Sequence, residues 1–106
     1  MFLLRRMGQI SAKEARQQLG NGALVIDVRT PGEFASGHLP KAISMPLDEI
    51  ESRIARHVPD KNKVLLLHCQ SGMRSGVAKR KLRAMGYTQA FNLGSLSRAA
   101  QIVTGK

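Results

Sequence analysis

The residues best able to do chemistry are consecutive: His68-Cys69-Gln70-Ser71-Gly72-Met73-Arg74-Ser75. Cys69 is the only cysteine of the 106 residues. It follows the apolar run Val64-Leu65-Leu66-Leu67 and precedes a basic segment in which Ala78, Leu82 and Met85 recur at helical spacing. That pattern predicts a strand, a tight loop and a helix, with the cysteine at the strand's carboxyl end. Backbone N–H groups of such a loop can converge on one point, and the first helical turn adds the positive end of its dipole. A thiol held there ionises readily, whereas one buried inside the strand is inert. Lone cysteines in small domains are commonly small core hydrophobes, so the neighbours decide. Gly72 permits the positive φ of a sharp loop, Ser71 and Ser75 bring hydroxyls, and Arg74 brings a forked cation. A buried structural cysteine needs none of them. Cys69 is the candidate nucleophile, cradled by Gln70, Ser71, Gly72, Met73, Arg74 and Ser75.

The rest of the chain supplies elements that could position this loop. Ser11-Ala12-Lys13-Glu14 has the pattern of a capping box and opens a short helix that Gly20 and Gly22 end. Ile10, just before it, is assigned to a short strand. Ala23-Leu24-Val25-Ile26-Asp27-Val28 is apolar and β-branched, as in a central strand buried on both faces. Asp27 interrupts it near its carboxyl end. It is read as a supporting carboxylate that bonds nearby backbone or pairs with Arg29, in preference to a catalytic one.

Thr30-Pro31-Gly32-Glu33 supplies an N-cap, a proline at the first helical position and a first-turn acid, for a helix to about Ser36. Gly37-His38-Leu39-Pro40 ends it, with His38 read as a loop-ordering hydrogen-bonder and not a base. Ile43-Ser44-Met45 suits a brief strand. Pro46 opens an amphipathic helix carrying Leu47, Ile50 and Ile54 on one face. Gly86 ends the basic helix, Ala90-Phe91-Asn92-Leu93 forms a last strand, and a helix follows around Leu96 to Val103. Alternating strands and helices with short connections predict an α/β fold, a mostly parallel five-stranded central sheet covered by helices on both faces. Sites in such sheets lie at strand carboxyl ends, where Asp27 and Cys69 both fall.

Composition narrows the function classes. The length suits a single domain spanning residues 1–106. One cysteine and three scattered histidines, His38, His57 and His68, lack metal-ligand spacing, so neither a metal nor another cofactor is expected. Met1-Phe2-Leu3-Leu4 reaches Arg5-Arg6 too early for a secretory core, and no apolar run has the length of a membrane span. The expectation is a soluble cytoplasmic protein without a membrane partner, or a periplasmic one if an export signal has been removed. The net charge of +10 is unevenly spread. Residues 1–60 hold all seven acids against eight Lys or Arg, whereas residues 61–106 hold nine Lys or Arg and no acid. The half containing Cys69 therefore attracts small anions. With one tyrosine, three phenylalanines and no tryptophan there is no base-stacking platform, so nucleic acid is not the expected partner.

Three ordered motifs resemble those of the rhodanese-like sulfurtransferases. Asp27-Val28-Arg29, Glu33-Phe34, Gly37-His38-Leu39-Pro40, Ala42 and Pro46-Leu47 are similar to the family's first motif, and Cys69 to Ser75 resembles its active-site loop. Gly86-Tyr87 and Asn92-Leu93-Gly94 form the third. Val58-Pro59-Asp60-Lys61-Asn62 and Met85-Gly86-Tyr87-Thr88 resemble its short single-domain branch, the one containing phage shock protein E. Gly94-Ser95-Leu96 stands where the family usually has a Gly-Gly pair and a later tryptophan. The resemblance implies a thiosulfate sulfurtransferase. Cys69 would take sulfur from a small anionic donor as a persulfide and pass it to cyanide or a thiol, such as that of thioredoxin or glutathione. Arg74 would attract or orient the donor's sulfonate, and Ser71 or Ser75 would bond the transferred sulfur.

A rival class is a cysteine phosphatase, whose His-Cys signature places its arginine one position further along. Here only Gln70 to Met73 intervene, a tighter cradle suited to one sulfur atom. A non-catalytic binding module of the same fold is the third class, expected where the cysteine is lost.

Overall fold

In the computed structural model, which describes residues 8–105, helices and strands alternate along the chain. Helix α1 (Ala12–Gly20) leads to β1 (Leu24–Asp27), α2 (Pro31–Ala35) and β2 (Ile43–Ser44). A 3-10 turn (Leu47–Glu49) runs into α3 (Ile50–His57), followed by β3 (Leu65–His68), α4 (Met73–Ala84), β4 (Ala90–Gly94) and α5 (Leu96–Thr104). The strands form one parallel sheet in the order β2-β1-β3-β4.

Side-chain alternation divides the core between two layers. Ile26, Leu65 and Leu67 point to the face where Ile50, Ile54, Leu82 and Tyr87 pack. Val25, Leu66 and Leu93 point to the face covered by Ala15, Ala99 and Ile102 of α1 and α5. β3 is buried along its whole length, as a parallel strand covered on both sides must be. Each fully buried Leu or Ile contributes roughly 1.5–3 kcal/mol.

The sheet has four strands where five were expected. Ile10 lies beside β4, but the contact is a single parallel bridge between Gln9 and Asn92 with one hydrogen bond, Ile10 N–H to Asn92 O at 3.0 Å. Ser11 then caps α1, its hydroxyl accepting the Glu14 N–H at 3.1 Å. The chain turns into a helix before a ladder can extend.

This strand order sets the site. β1 is followed by a crossover to one side of the sheet and β3 by a crossover to the other, so their loops diverge and leave a crevice at the carboxyl ends. The β1–β3 register pairs Asp27 with His68 there. At the far end of the same layer the Tyr87 hydroxyl, fully buried, donates to the Val58 carbonyl at 2.7 Å. Tyr87→Phe leaves that carbonyl short of a partner, and should lower the unfolding free energy by roughly 1–3 kcal/mol. Urea denaturation measures this, with an unchanged m-value expected.

Candidate active site

Cys69 follows β3 directly, and the loop curls back over its sulfur. Gly72, the N-cap of α4, has φ +99°, a left-handed conformation that glycine adopts without a Cβ penalty. A Cβ there would also lie 3.5 Å from the Gly94 backbone and 3.3 Å from Gln9 Nε2. The turn brings the Gly72 N–H to 3.0 Å from Cys69 Sγ and the Ser75 N–H to 3.4 Å, with the Ser75 hydroxyl at 3.5 Å. The sulfur belongs to a residue with no exposed surface. Burial pushes the thiol pKa up, whereas the Ser75 hydroxyl and the N–H groups of Ser75, Gly72 and Ser71 pull it down and prevail. Of the expected cradle, Gly72 and Ser75 therefore make the short contacts. Gln70, Ser71 and Met73 are exposed, Met73 at 78%.

A residue that sequence reasoning had not assigned to the site holds this loop. Between Leu67 and His68 the β3–β4 register slips, so that His68 faces Gly94 and not Leu93. Gly94, at φ +105°, accommodates the bulge. Asn92 Oδ1 accepts the Gly94 N–H at 2.9 Å and the Ser75 hydroxyl at 2.7 Å, while Asn92 Nδ2 donates to the Gly72 carbonyl at 3.1 Å. One amide thus fixes Gly72 and Ser75, the two residues with the short contacts to the sulfur. An asparagine inside an apolar strand is itself a signal, because strands are depleted in it. Gly94-Ser95-Leu96 closes the neighbouring wall: Cys69 N–H donates to Gly94 O at 3.2 Å and Leu96 N–H to Gln70 O at 3.3 Å.

Asp27 and Arg29 form the ion pair expected of them. Asp27 Oδ1 accepts the Arg29 backbone N–H at 2.9 Å, and Oδ2 accepts Nη2 at 2.8 Å. Arg29 is only 3% exposed, and its pKa is raised chiefly by its hydrogen bonding to Asp27. It also donates to Gly37 O at 2.7 Å and Gln70 Oε1 at 3.2 Å, joining the loops after β1, α2 and β3. Removing one member of a buried pair costs about 3–5 kcal/mol. A cleft of about 540 Å³ opens beside Gln70, floored by Leu39, Leu96 and Ala100.

The histidines take supporting places. His38 lies exposed, stacked on Phe34 at 3.7 Å between centroids, with Nδ1 2.9 Å from Phe34 O. His68 is fully buried, its Nε2 3.8 Å from Asp27 Oδ2 and without a hydrogen-bond partner. Burial, the largest influence, pushes its pKa down, so the ring is held neutral. Arg74 does not lie free at the mouth: Nη1 and Nη2 meet Glu33 Oε1 and Oε2 at 2.7 and 3.0 Å. Nothing local in the sequence signals this contact across 41 positions.

A rhodanese-like domain model matches residues 11–98. Among curated proteins, the chain is 46% identical over 71 residues to the thiosulfate sulfurtransferase PspE of Escherichia coli, covering 67% of this chain and 68% of that one. It is 34% identical over 96 residues to the human thiosulfate:glutathione sulfurtransferase, covering 78% and 84%. Among solved structures, a rhodanese with anions from E. coli superposes with a TM-score of 0.70 at 43% identity, covering 73% of this chain and 91% of the other. The human single-domain sulfurtransferase superposes with a TM-score of 0.75 at 29% identity, covering 89% and 96%.

The contacts on sulfur predict its titration. Alkylation of Cys69 by iodoacetamide should accelerate with rising pH through a midpoint below that of an ordinary thiol. The Ser75 hydroxyl has a single hydrogen, and Asn92 Oδ1 at 2.7 Å is a better acceptor for it than sulfur at 3.5 Å. Ser75→Ala keeps both N–H contacts, so it should raise the midpoint by about one pH unit or less, one unit being ~1.4 kcal/mol. A larger rise would assign the anion mainly to the hydroxyl.

Proposed function

The chain belongs to the rhodanese-like domain family, and from that membership we propose that it is a thiosulfate sulfurtransferase working through a Cys69 persulfide. One observation carries the reading: the N–H groups of Gly72 and Ser75 converge on the sulfur atom itself, 3.0 and 3.4 Å away. A cradle of this kind stabilises an anion on the nucleophile without reorganising during reaction. The similarity to enzymes named for thiosulfate supports the choice of donor.

In the first step the Cys69 thiolate attacks the outer sulfur of thiosulfate. A Cys–S bond to that sulfur forms, the sulfur–sulfur bond of thiosulfate breaks, and sulfite leaves with the electron pair. The outer sulfur of the persulfide is then attacked by cyanide or by a thiolate such as that of glutathione. Its bond to Cys69 breaks and the cysteine leaves as thiolate, returning the enzyme to its starting state. No proton must be delivered to a poor leaving group in either step, which agrees with a neutral, buried His68. We assign the donor's sulfonate to Arg74, whose N–H groups not taken by Glu33 could receive it.

Intact mass spectrometry after thiosulfate should reveal one added sulfur atom, discharged by cyanide. Cys69→Ser should show neither the adduct nor turnover while keeping its circular dichroism spectrum, and substantial residual turnover would sink the covalent route. Aryl phosphates should not be turned over, whereas real phosphatase activity would favour the rival class. Arg74→Ala should lower kcat/KM for thiosulfate about ten- to a hundredfold, since a charge-assisted contact is worth roughly 1.5–3 kcal/mol. Arg74→Lys should recover only part of the loss, because a point charge replaces a planar fork. Because the nine cations of residues 61–106 are screened beyond a Debye length of about 8 Å at physiological salt, kcat/KM should fall as ionic strength rises. A flat salt profile would show that this charge does not steer the donor.

A further inference from the structure

Glu33 is the third residue of α2, whose capping box is complete: the Thr30 hydroxyl accepts the Glu33 N–H, and Glu33 Oε1 accepts the Thr30 N–H at 3.0 Å. The Thr30 hydroxyl also lies 3.1 Å from that oxygen. The cap fixes the carboxylate from one side. On its other side the carboxylate takes Arg74 two points to two points, at 2.7 and 3.0 Å. Hydrogen bonding from Arg74, and then from the Thr30 backbone, holds the Glu33 pKa at about 2, so the carboxylate stays charged throughout any working range. The Arg74 guanidinium is held first by Glu33 and is also influenced by the Cys69 sulfur, the nucleophile five residues earlier on the loop that opens α4. Two of its five N–H groups are committed to Glu33, which leaves three in a plane that Glu33 sets. At 35% side-chain exposure, Arg74 would otherwise have room to swing toward solvent.

We infer that Glu33 is a positioning residue for sulfur donation: seated by the α2 cap, it aims the Arg74 fork so that its remaining N–H groups receive the anionic end of the donor beside Cys69. This rests on the sulfurtransfer reading above. Glu33 sets donor affinity through Arg74 while itself touching neither substrate nor sulfur. The opposite role is physically distinct: a carboxylate this close to the mouth could simply cancel the arginine's charge and weaken anion binding.

Two substitutions separate the roles. Glu33→Gln keeps a side chain competent in the cap but removes the charge and one acceptor. Glu33→Asp keeps the charge but is one methylene too short to hold both points. If Glu33 aims Arg74, each should raise the KM for thiosulfate about three- to tenfold, the reach of a partly exposed but bidentate pair, with kcat within about twofold. The same substitutions in an Arg74→Ala background should change KM less than about twofold, because the residue they act through is gone. Protection of Cys69 from iodoacetamide by sulfate, which cannot donate sulfur, should weaken in parallel and reads the same placement without turnover. Were Glu33→Gln to lower KM while Glu33→Asp stayed at the wild-type value, Glu33 would be a charge brake and the inference would fall. An undiminished KM effect in the Arg74→Ala background would overturn it equally. A wild-type protein that forms no persulfide with thiosulfate would instead overturn the sulfurtransfer reading, and this inference with it.

Discussion

A thiol whose pKa is lowered although its residue has no exposed surface is the constraint on which the site depends. Desolvation alone would keep the thiol protonated, so every favourable contact has to come from the protein. The Gly72 and Ser75 N–H groups supply it, but only because the loop bends sharply at Gly72 and α4 starts immediately afterwards. Those two residues are tied in turn to Asn92, and Asn92 reaches them because β4 bulges at Gly94. A register slip in one strand is thus part of the chemistry of a residue on another.

Around the sulfur, charges are paired in two tiers. Inside, Asp27 and Arg29 form a buried unit that ties three loops together and leaves little freedom for the crevice to change shape. At the mouth, Glu33 and Arg74 form a half-exposed unit. The inner pair is rigid because breaking it would strand a charge in a low-dielectric interior. The outer pair stands partly in water, where an ion pair is worth less and costs less to disturb.

How far the sequence revealed this depends on the range of the interaction. The strand, loop and helix around Cys69 were legible because each leaves a local mark: an apolar run, a glycine, helical spacing. Asp27 and Arg29 lie two positions apart, near enough for the sequence to offer a backbone bond or an ion pair, and both form. The fifth strand failed because Ile10 is strand-like by type, whereas Ser11 commits the chain to a helix at the next residue, leaving only the Gln9–Asn92 bridge. Glu33 was legible as a first-turn acid but not as the partner of Arg74, since their contact exists only once the sheet has brought α2 and α4 together. Asn92 had a visible anomaly, an amide in a strand, whose purpose depends on a bulge that no local pattern announces.

The burial of Cys69 also bears on what happens when the protein meets peroxide. A thiolate oxidised to a sulfenic acid is ordinarily rescued by a neighbouring thiol, which traps it as a disulfide before further oxygen is added. None of the other 105 residues carries such a thiol. Trapping as a disulfide would therefore need a thiol from another molecule, one able to reach a residue with no exposed surface.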